Sequence, residues 1–319
     1  MTTAAPAAPD TRAPARPLFV GIALAIVYVV WGSTYLGIRI MVEDMPPFLS
    51  AGSRFLTAGL LLATVLAVRT GVRRLAVTGP ELLGCGLIGL LLPVLGQGMV
   101  TFAESGGAPS GITALLIAVV PLWVILYRSL SGERPRGPTV IGVLAGFTGL
   151  AVLIVSNGMD GSFPLWTMGV VVFATVSWSF GSWFQPRLRL PGDPFVVAVY
   201  EMLIGGGLLM VLGLVSGEQV DLSAFSTRSW VAWVYLVIFG SGVAFSAYVW
   251  LLQSAPISLV ATYAYVNPLV AVFLGWLVLA EPVTPPIILG GAVVVLAVAV
   301  VVSSERPRRT PRRTAGSTA

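Results

Sequence analysis

Long apolar segments alternate with short polar ones along the chain. Each apolar segment is close to the ~20 residues that a helix needs to cross the hydrocarbon core of a bilayer. Prolines stand at the starts of many segments, where the missing N–H costs no intrahelical bond. The pattern predicts ten membrane-spanning helices, at about residues 18–40, 47–68, 81–103, 110–130, 138–156, 164–185, 194–215, 231–252, 257–279 and 285–303.

The chain also repeats itself at an offset of 147 positions: Trp31 overlays Trp178, and Pro121 overlays Pro268. Because each copy holds five helices, an odd number, the two copies must insert with opposite topology. We therefore predict an all-α membrane protein with ten transmembrane helices, built as two inverted five-helix repeats. The predicted parts are a disordered N-terminal tail, 1–17, a first repeat, 18–156, a second repeat, 164–303, and a basic C-terminal tail, 304–319.

Composition and charge agree with a membrane protein. The chain is 56% hydrophobic and 10% charged, which is implausible for a soluble core of this size. The arginines cluster in every second loop and in both tails, so the positive-inside rule places both termini in the cytoplasm and the protein in the cell membrane. This arrangement accounts for the basic charge without nucleic acid as a partner. With no histidine in the chain, we predict no metal site, no cofactor and no Ser-His catalytic centre.

Several stretches resemble the EamA family of the drug/metabolite transporter superfamily. They are WGSTYLGIR at 31–39, PPFLSAGSRFLTAGLLL at 46–62, ALLIAVVPLWVILYRSLSGERP at 114–135 and ATYAYVNPLVAVFLGWLVLAEP at 261–282. The resemblance covers residues 18 to 304. It implies ten helices around a central cavity and export of metabolites, amino acids or drugs, and it leaves the compound and the coupling open.

Two charged residues inside predicted helices are candidates for the transport pathway. Arg54 and Glu201 overlay one another at the repeat offset. An ionisable side chain within the bilayer is costly unless it is paired or faces water, so each is a functional hypothesis. Since the repeats are inverted, the two differ in depth by roughly 10 Å, which argues against a permanent salt bridge. Arg54 would face an anionic substrate group and Glu201 would accept a proton or cation; the alternative is a structural polar network. Glu104 is expected at a solvated rim, and it is the second candidate for a proton acceptor.

Polar and aromatic side chains within the helices form a second group of candidates. Some of them recur at i, i+4 and i+7 and so share one helix face, which must look at protein or at a water-filled cavity. The alternative for each hydroxyl is a bond to its own backbone. The candidates are Trp31, Ser33, Thr34 and Tyr35 in the first helix, Gln97 and Thr101 in the third, Trp178, Ser182 and Gln185 in the sixth, and Tyr263, Tyr265 and Asn267 in the ninth.

Pro121 and Pro268 lie deep within the fourth and ninth predicted helices, where each removes a backbone hydrogen bond and favours a kink. The paired kinks are candidates for gating, with helix packing as the alternative.

The predicted function is that of a secondary transporter exporting a small molecule by alternating access. No G-x-x-x-x-G-K-[ST] run for ATP is present, so a substrate or proton gradient would drive it. The alternatives are an importer and a non-transporting membrane receptor. A membrane-embedded enzyme is disfavoured, because no helix carries paired carboxylates or metal ligands. The expected partners are the small-molecule substrate, the lipid bilayer and, if coupled, a proton.

Overall fold

The computed structural model describes residues 16–132, 137–159 and 164–305, and side chains throughout except those of 150–159 and a few single positions. Every regular element in these ranges is helical. The ten helices are α1 Pro17–Met41, α2 Pro47–Thr70, α3 Gly79–Ser105, α4 Ser110–Leu130, α5 Gly137–Met159, α6 Leu165–Phe184, α7 Pro194–Val215, α8 Thr227–Ser254, α9 Ile257–Val260 with Tyr263–Leu279, and α10 Pro285–Glu305. The predicted number of helices is confirmed. Apart from residues 16–17 and 304–305, the predicted tails lie outside the described residues.

The helix starts follow local rules. Proline occupies the first turn of α1, α2 and α7, and Pro164 and Pro256 are the N-cap residues of α6 and α9. At α3, Thr78 and Glu81 form a capping box, in which each side chain binds the other residue's backbone N–H. The Asp193 side chain caps α7 by accepting from the Phe195 N–H at 3.0 Å.

The helix contacts are the same when each helix is replaced by the equivalent helix of the other repeat. α2 packs along α7 and α5 along α10, while α1 packs on α9 as α6 packs on α4. At the α2–α7 crossing, a Cβ added to Gly52 would lie 2.9 Å from the Gly206 carbonyl oxygen, and one added to Gly206 would lie 2.9 Å from that of Gly52. The correspondence of the helix contacts is what a two-fold axis in the membrane plane requires, and it confirms the predicted pair of inverted repeats.

The bundle has two ends, which we call the terminal face and the opposite face. The terminal face holds the start of α1 and the end of α10; there the Thr139 and Ser304 hydroxyls lie 2.9 Å apart. Arg74 and Asp193 form an ion pair at the same face, with Nε 2.6 Å from Oδ2. The opposite face holds the α1–α2, α3–α4, α7–α8 and α9–α10 loops.

The outside of the bundle is apolar, as a lipid-facing surface must be. Val68 is 80% exposed and Leu83 is 76% exposed, although both lie within helices. Seven helices of the described chain are long and apolar enough to cross a membrane, and α5, α9 and α10 add shorter apolar stretches. Together with the repeat packing, this surface identifies a multi-pass membrane protein.

Two helices contain wide π-helical turns at symmetric places. They occupy Leu90–Gly98 in α3 and Leu236–Phe245 in α8, and the offset of 147 places the second on the first to within a residue. Such turns are rare and change which side chains a helix turns inward. Sequence patterning contains no signal for them, and they were not predicted.

Kinks were predicted at symmetric prolines of α4 and α9, but the interruptions of these two helices are not at symmetric positions. α4 is interrupted at residues 118–119, shortly before Pro121, whose missing N–H leaves the Ile117 carbonyl without its i+4 donor. In α9 the interruption lies at residues 261–262, and Pro268 lies inside the continuous helix that follows. A kink at Pro268 and a gating role for either proline stay predictions.

Candidate functional site

Four aromatic rings meet between the two repeats. The Trp31 ring lies 5.4 Å from that of Trp178, 4.8 Å from that of Tyr248 and 5.5 Å from that of Tyr263, measured between centroids. All four side chains are buried. We call this group the aromatic layer; it is contributed by α1, α6, α8 and α9. The edge-to-face geometries at Trp178 and Tyr263 are the favoured arrangements of such rings.

The π-helical turns hold both tryptophans of the layer in place. The Trp31 indole Nε1 donates to the Gly240 carbonyl at 3.2 Å, within the π-helical turn of α8. On the other side, a Cβ at Gly96 would lie 2.7 Å from the Trp178 ring, so only glycine fits in the corresponding turn of α3. The unusual helical turns therefore provide an acceptor for one indole and space for the other.

Two narrow cavities adjoin the aromatic layer. The first is lined by Trp31, Tyr35, Gln97, Trp178 and Tyr263 together with apolar groups. The second shares Trp31 and Gln97 with the first and adds Thr34 and Arg54. Seven of the residues predicted for the pathway thus line the space around the aromatic layer. The aromatic rings fill most of it in this conformation.

Arg54 borders the second cavity from α2, on the side of the opposite face. Its side chain is buried, and its Nε has no hydrogen-bond partner in the described part of the chain. The guanidinium carbon lies 4.5 Å from the centre of the Phe55 ring, a cation–π contact. A buried guanidinium with an unused donor beside a cavity is suited to bind an anionic group.

Glu104 is fully buried near Arg54, which corrects its expected place at a solvated rim. Neither carboxylate oxygen has a partner among the described residues, and Arg39 and Arg54 both interact with it electrostatically. Arg39 donates from Nη1 to the Glu104 carbonyl at 2.6 Å. The end of α3 is covered by α1 and α2, and the amphipathic spacing of the sequence could not show this cover.

Glu201 lies on the other side of the layer, towards the terminal face. Its carboxylate is fully buried and has no hydrogen-bond partner in the described part of the chain, and its electrostatic neighbours are Cys85 and Tyr248. Its backbone packs against α3, where a Cβ at Gly89 would lie 3.0 Å from the Glu201 carbonyl oxygen. The ion pairs that the structure describes include neither Arg54 nor Glu201, in line with their different depths.

Most of the predicted hydroxyl candidates bind their own helix. Thr34 Oγ1 donates to the Trp31 carbonyl at 2.8 Å and Thr101 Oγ1 to the Gln97 carbonyl at 2.9 Å. Ser33 donates to a carbonyl of α1 and also contacts the Tyr235 hydroxyl, away from both cavities. Bonds of this kind were the alternative to a role in the pathway for each hydroxyl. Of these three residues, only Thr34 also borders one of the two cavities.

Ser182 and Gln185 continue the Trp178 face of α6 towards the terminal face. The Ser182 hydroxyl donates to the Trp178 carbonyl and lies 2.7 Å from the Tyr248 hydroxyl. The amide of Gln185 is buried, and neither of its polar atoms has a partner in the described residues. Neither residue borders the two cavities in this conformation.

Asn267 binds main-chain carbonyls next to the aromatic layer. In the amide orientation that satisfies its surroundings, its nitrogen donates to the Tyr263 carbonyl at 3.2 Å and to the Tyr28 carbonyl at 3.0 Å. These bonds tie α9 to α1, and the carbonyl that Pro268 leaves without its i+4 donor, that of Ala264, is not among their acceptors. The side chain of Tyr265 lies outside the described residues.

Tyr248 is the member of the layer that sequence reasoning missed. Its hydroxyl accepts from Trp178 Nε1 at 3.1 Å and contacts Ser182, so it joins α8 to the polar face of α6. The repeat offset contained a signal, because Tyr248 overlays Thr101, which was a candidate. Thr175 was also missed; it lines the first cavity and accepts from Trp123 Nε1 at 2.9 Å.

Known proteins are similar in sequence to most of this chain. The uncharacterized inner membrane transporter YedA of Escherichia coli is 40% identical over 253 residues, which cover 79% of this chain and 80% of that protein. The uncharacterized transporter YvbV of Bacillus subtilis is 25% identical over 90% of this chain and 92% of that protein. A probable amino-acid metabolite efflux pump of Escherichia coli K12 is 24% identical over 70% of this chain and 76% of that protein.

The fold has a counterpart among solved structures. A crystal structure of a chain that is 22% identical aligns with a TM-score of 0.66, over 90% of this chain and 96% of that chain. A family model described as the EamA-like transporter family matches residues 19–155 and again residues 165–303. These matches and the YedA identity show that the chain belongs to the EamA-like transporter family.

Proposed function

We propose that this transporter exports a small zwitterionic metabolite, such as an amino acid, by alternating access around the aromatic layer. One observation carries the proposal: the layer lies between inverted repeats and separates buried polar atoms that have no hydrogen-bond partner among the described residues. These are Arg54 Nε and both carboxylate oxygens of Glu104 on one side, and both carboxylate oxygens of Glu201 on the other. Buried polar atoms of this kind need a partner, which a ligand, a proton or water would provide in another step of the transport cycle.

The substrate class follows from the chemistry of the cavity walls. Aromatic rings bind apolar side chains and stack on planar ones, and the Arg54 guanidinium suits a carboxylate. Gln97 borders both cavities and offers a donor and an acceptor for polar groups of either kind. The name of the Escherichia coli relative, a probable amino-acid metabolite efflux pump, supports the same class and the outward direction.

Proton coupling is proposed for Glu201. An uncompensated charge on its fully buried carboxylate would be costly, so this conformation accommodates the neutral form. A conformation that brings water to Glu201 from the terminal face would allow its proton to leave. Substrate and proton would then use opposite sides of one aromatic layer.

The terminal face is proposed to be cytoplasmic. Arg69 lies in the last turn of α2 at this face, Arg73 and Arg74 follow α2, and Arg187 and Arg189 follow α6. At the opposite face lie Arg39, in the last turn of α1, and Arg228. This asymmetry agrees with the positive-inside rule. The proposal places 18–156 and 164–303 as the two repeats and expects no catalytic activity.

Efflux of a labelled panel of amino acids and cationic drugs from expressing cells tests the function. We expect at least one zwitterion to leave faster than from control cells, and Glu201→Gln to abolish the gain at equal expression. The matched control is Glu43→Gln, because Glu43 is a partly exposed carboxylate 3.7 Å from Arg228, a surface pair of small energetic weight. Faster uptake would favour the importer, and no movement of any compound in either direction would favour the receptor.

A further inference from the structure

Glu281 joins the two repeats at the opposite face. It lies in the α9–α10 loop, and its carboxylate binds the first turn of α4. Oε1 accepts from the Ser110 N–H at 2.9 Å, while Oε2 accepts from the Ser110 hydroxyl at 2.9 Å and from the Gly111 N–H at 3.2 Å. A carboxylate at a helix N-terminus satisfies free N–H groups and complements the helix dipole. The second repeat thus holds the start of a helix of the first.

The backbone before Glu281 is held in an unusual conformation. Ala280 has φ 52° and ψ 32°, and among the described residues it is the one non-glycine residue with positive φ. The Glu281 N–H then donates back to the Gly275 carbonyl at 3.2 Å, which closes the end of α9. Gly275 allows the close approach, since a Cβ there would lie 2.8 Å from the Ser110 hydroxyl oxygen. A strained residue at this place indicates that surrounding contacts fix the turn.

The part of α4 that Glu281 holds is a separate segment. It runs from Ser110 to Ile117 and ends at the interruption at residues 118–119 before Pro121. Ile117 and Val120, on the two sides of the interruption, line the first cavity. The segment therefore forms part of the cavity wall through Ile117 and extends from there to the opposite face. Rotation about the interruption would open the cavity to that face.

Glu218 provides an internal comparison. Its carboxylate also comes from the second repeat and caps a helix of the first, accepting from the Phe48 N–H at 3.0 Å and the Leu49 N–H at 2.8 Å. The capped helix, α2, is uninterrupted and locked to α7 through the backbone contact of Gly52 with Gly206. Glu218 thus caps a fixed helix, whereas Glu281 caps a segment with an interruption behind it.

The first repeat does not carry a glutamate at the position that corresponds to Glu281. At the offset of 147, Glu281 overlays Arg134, whose side chain has no acceptor for N–H groups. Residue 134 lies outside the described residues.

We propose that Glu281 is the positioning residue that closes the substrate cavity to the opposite face, by holding Ser110–Ile117 against α9. Release of this contact lets the segment rotate and opens the cavity. The inference rests on the alternating access of the proposed function. It adds the residue that controls access to the cavity from the opposite face.

Accessibility of a cysteine in the cavity tests the proposal without any substrate. In a Cys85→Ala background, Val100→Cys places one thiol on α3 at the cavity wall. A membrane-impermeant maleimide is applied to intact cells and to inside-out vesicles, so that each face is probed separately. We expect Glu281→Gln to raise the labelling rate from the opposite face by about fivefold, since it removes a charge-assisted contact. Ser110→Ala, which loses one of the three bonds, should raise it by about twofold.

Glu218→Gln is the matched control and should leave the rate within about twofold of the parent. Unchanged labelling in Glu281→Gln, or an equal rise in Glu218→Gln, would overturn the proposal. A rise seen only from the terminal face would overturn it as well. If Glu281→Gln does not insert into the membrane, Ser110→Ala decides in the same way. Labelling that responds while no compound of the efflux panel moves would refute the proposed export and leave the role of Glu281 standing.

Discussion

The crossing of α2 and α7 gives the sharpest prediction about the scaffold. Gly206 faces α2 so closely that a Cβ would lie 2.8 Å from the Leu56 nitrogen and 2.9 Å from the Gly52 carbonyl oxygen. Both are main-chain atoms, so no side chain can rotate away to make room. The next residue, Gly207, has nothing within 4 Å of the corresponding position. Gly206→Ala and Gly207→Ala therefore make the same chemical change in the same helix with different consequences.

The size of the effect follows from the contact distances. Ordinary contacts of a Cβ begin near 3.4 Å, so the helices must separate by about 0.5 Å to accept Gly206→Ala. Overpacking of this kind costs about 1–3 kcal/mol. Gly207→Ala instead gains about 0.5–1 kcal/mol, because alanine loses less backbone entropy than glycine in a helix. The entropy gain applies to both variants, so the overpacking cost of about 1–3 kcal/mol separates them, which corresponds to roughly 2–8 °C in the unfolding temperature of a protein of this size.

Thermal unfolding in detergent micelles, followed by the amount of monodisperse protein that survives heating, measures this difference. We expect Gly206→Ala to unfold several degrees below the parent and Gly207→Ala at or slightly above it. Equal unfolding temperatures, or a lower one for Gly207→Ala, would refute the reasoning. The α2–α7 pair would then not be the tightly packed scaffold on which the Glu218 comparison depends.

Three further variants test individual contacts. Tyr248→Phe keeps the ring but loses the hydroxyl that accepts from Trp178, so transport should fall several-fold while the unfolding temperature changes by less than about 4 °C; unchanged transport would exclude a role for the hydroxyl. Hydrogen bonds to the Asp44 carboxylate, chiefly from Ser226 and also from Ser229, hold its pKa below the usual 3.8. The stability that these bonds contribute is therefore present above pH 3.8 and is lost as the pH falls through the lowered pKa. Asp44→Asn should therefore unfold at a lower temperature than the parent at pH 7 and at the same temperature in strong acid; a gap that persists in acid would contradict this. Ala280→Gly relieves the left-handed backbone and should stabilise the protein by about 0.5–1 kcal/mol, measured by the same thermal assay; destabilisation would mean that the methyl group packs usefully.

The helices and their repeat could be predicted from the sequence because the bilayer leaves few options. Every backbone polar group must be satisfied within its own segment, so a long apolar run becomes a helix whatever surrounds it. Proline marks the starts locally, and Pro47, Pro194 and Pro285 stand at the beginnings of α2, α7 and α10. The offset of 147 then fixes which helices correspond.

The interior depends on contacts between helices, which local patterns do not contain. The two π-helical turns decide how the tryptophans are held, and no periodicity in the sequence indicates them. Glu104 was expected at a rim because it is near the end of α3, but neighbouring helices cover it. The interruption of α9 lies at residues 261–262, before Pro268, and no sequence signal indicated it. Residues bound only by long-range partners, such as Tyr248, need the three-dimensional arrangement to be recognised.

Two tryptophans of the second repeat provide the most direct test of the aromatic layer as the substrate pathway. Trp178 is buried in the layer, whereas Trp276 is 54% exposed on the lipid-facing surface. The measurement is efflux, from proteoliposomes, of the compound identified in the cell panel, with Trp178→Leu beside Trp276→Leu. We expect at least a tenfold loss of efflux rate for Trp178→Leu and a change of less than about twofold for Trp276→Leu. Equal rates for the two variants would contradict transport through the space between the repeats.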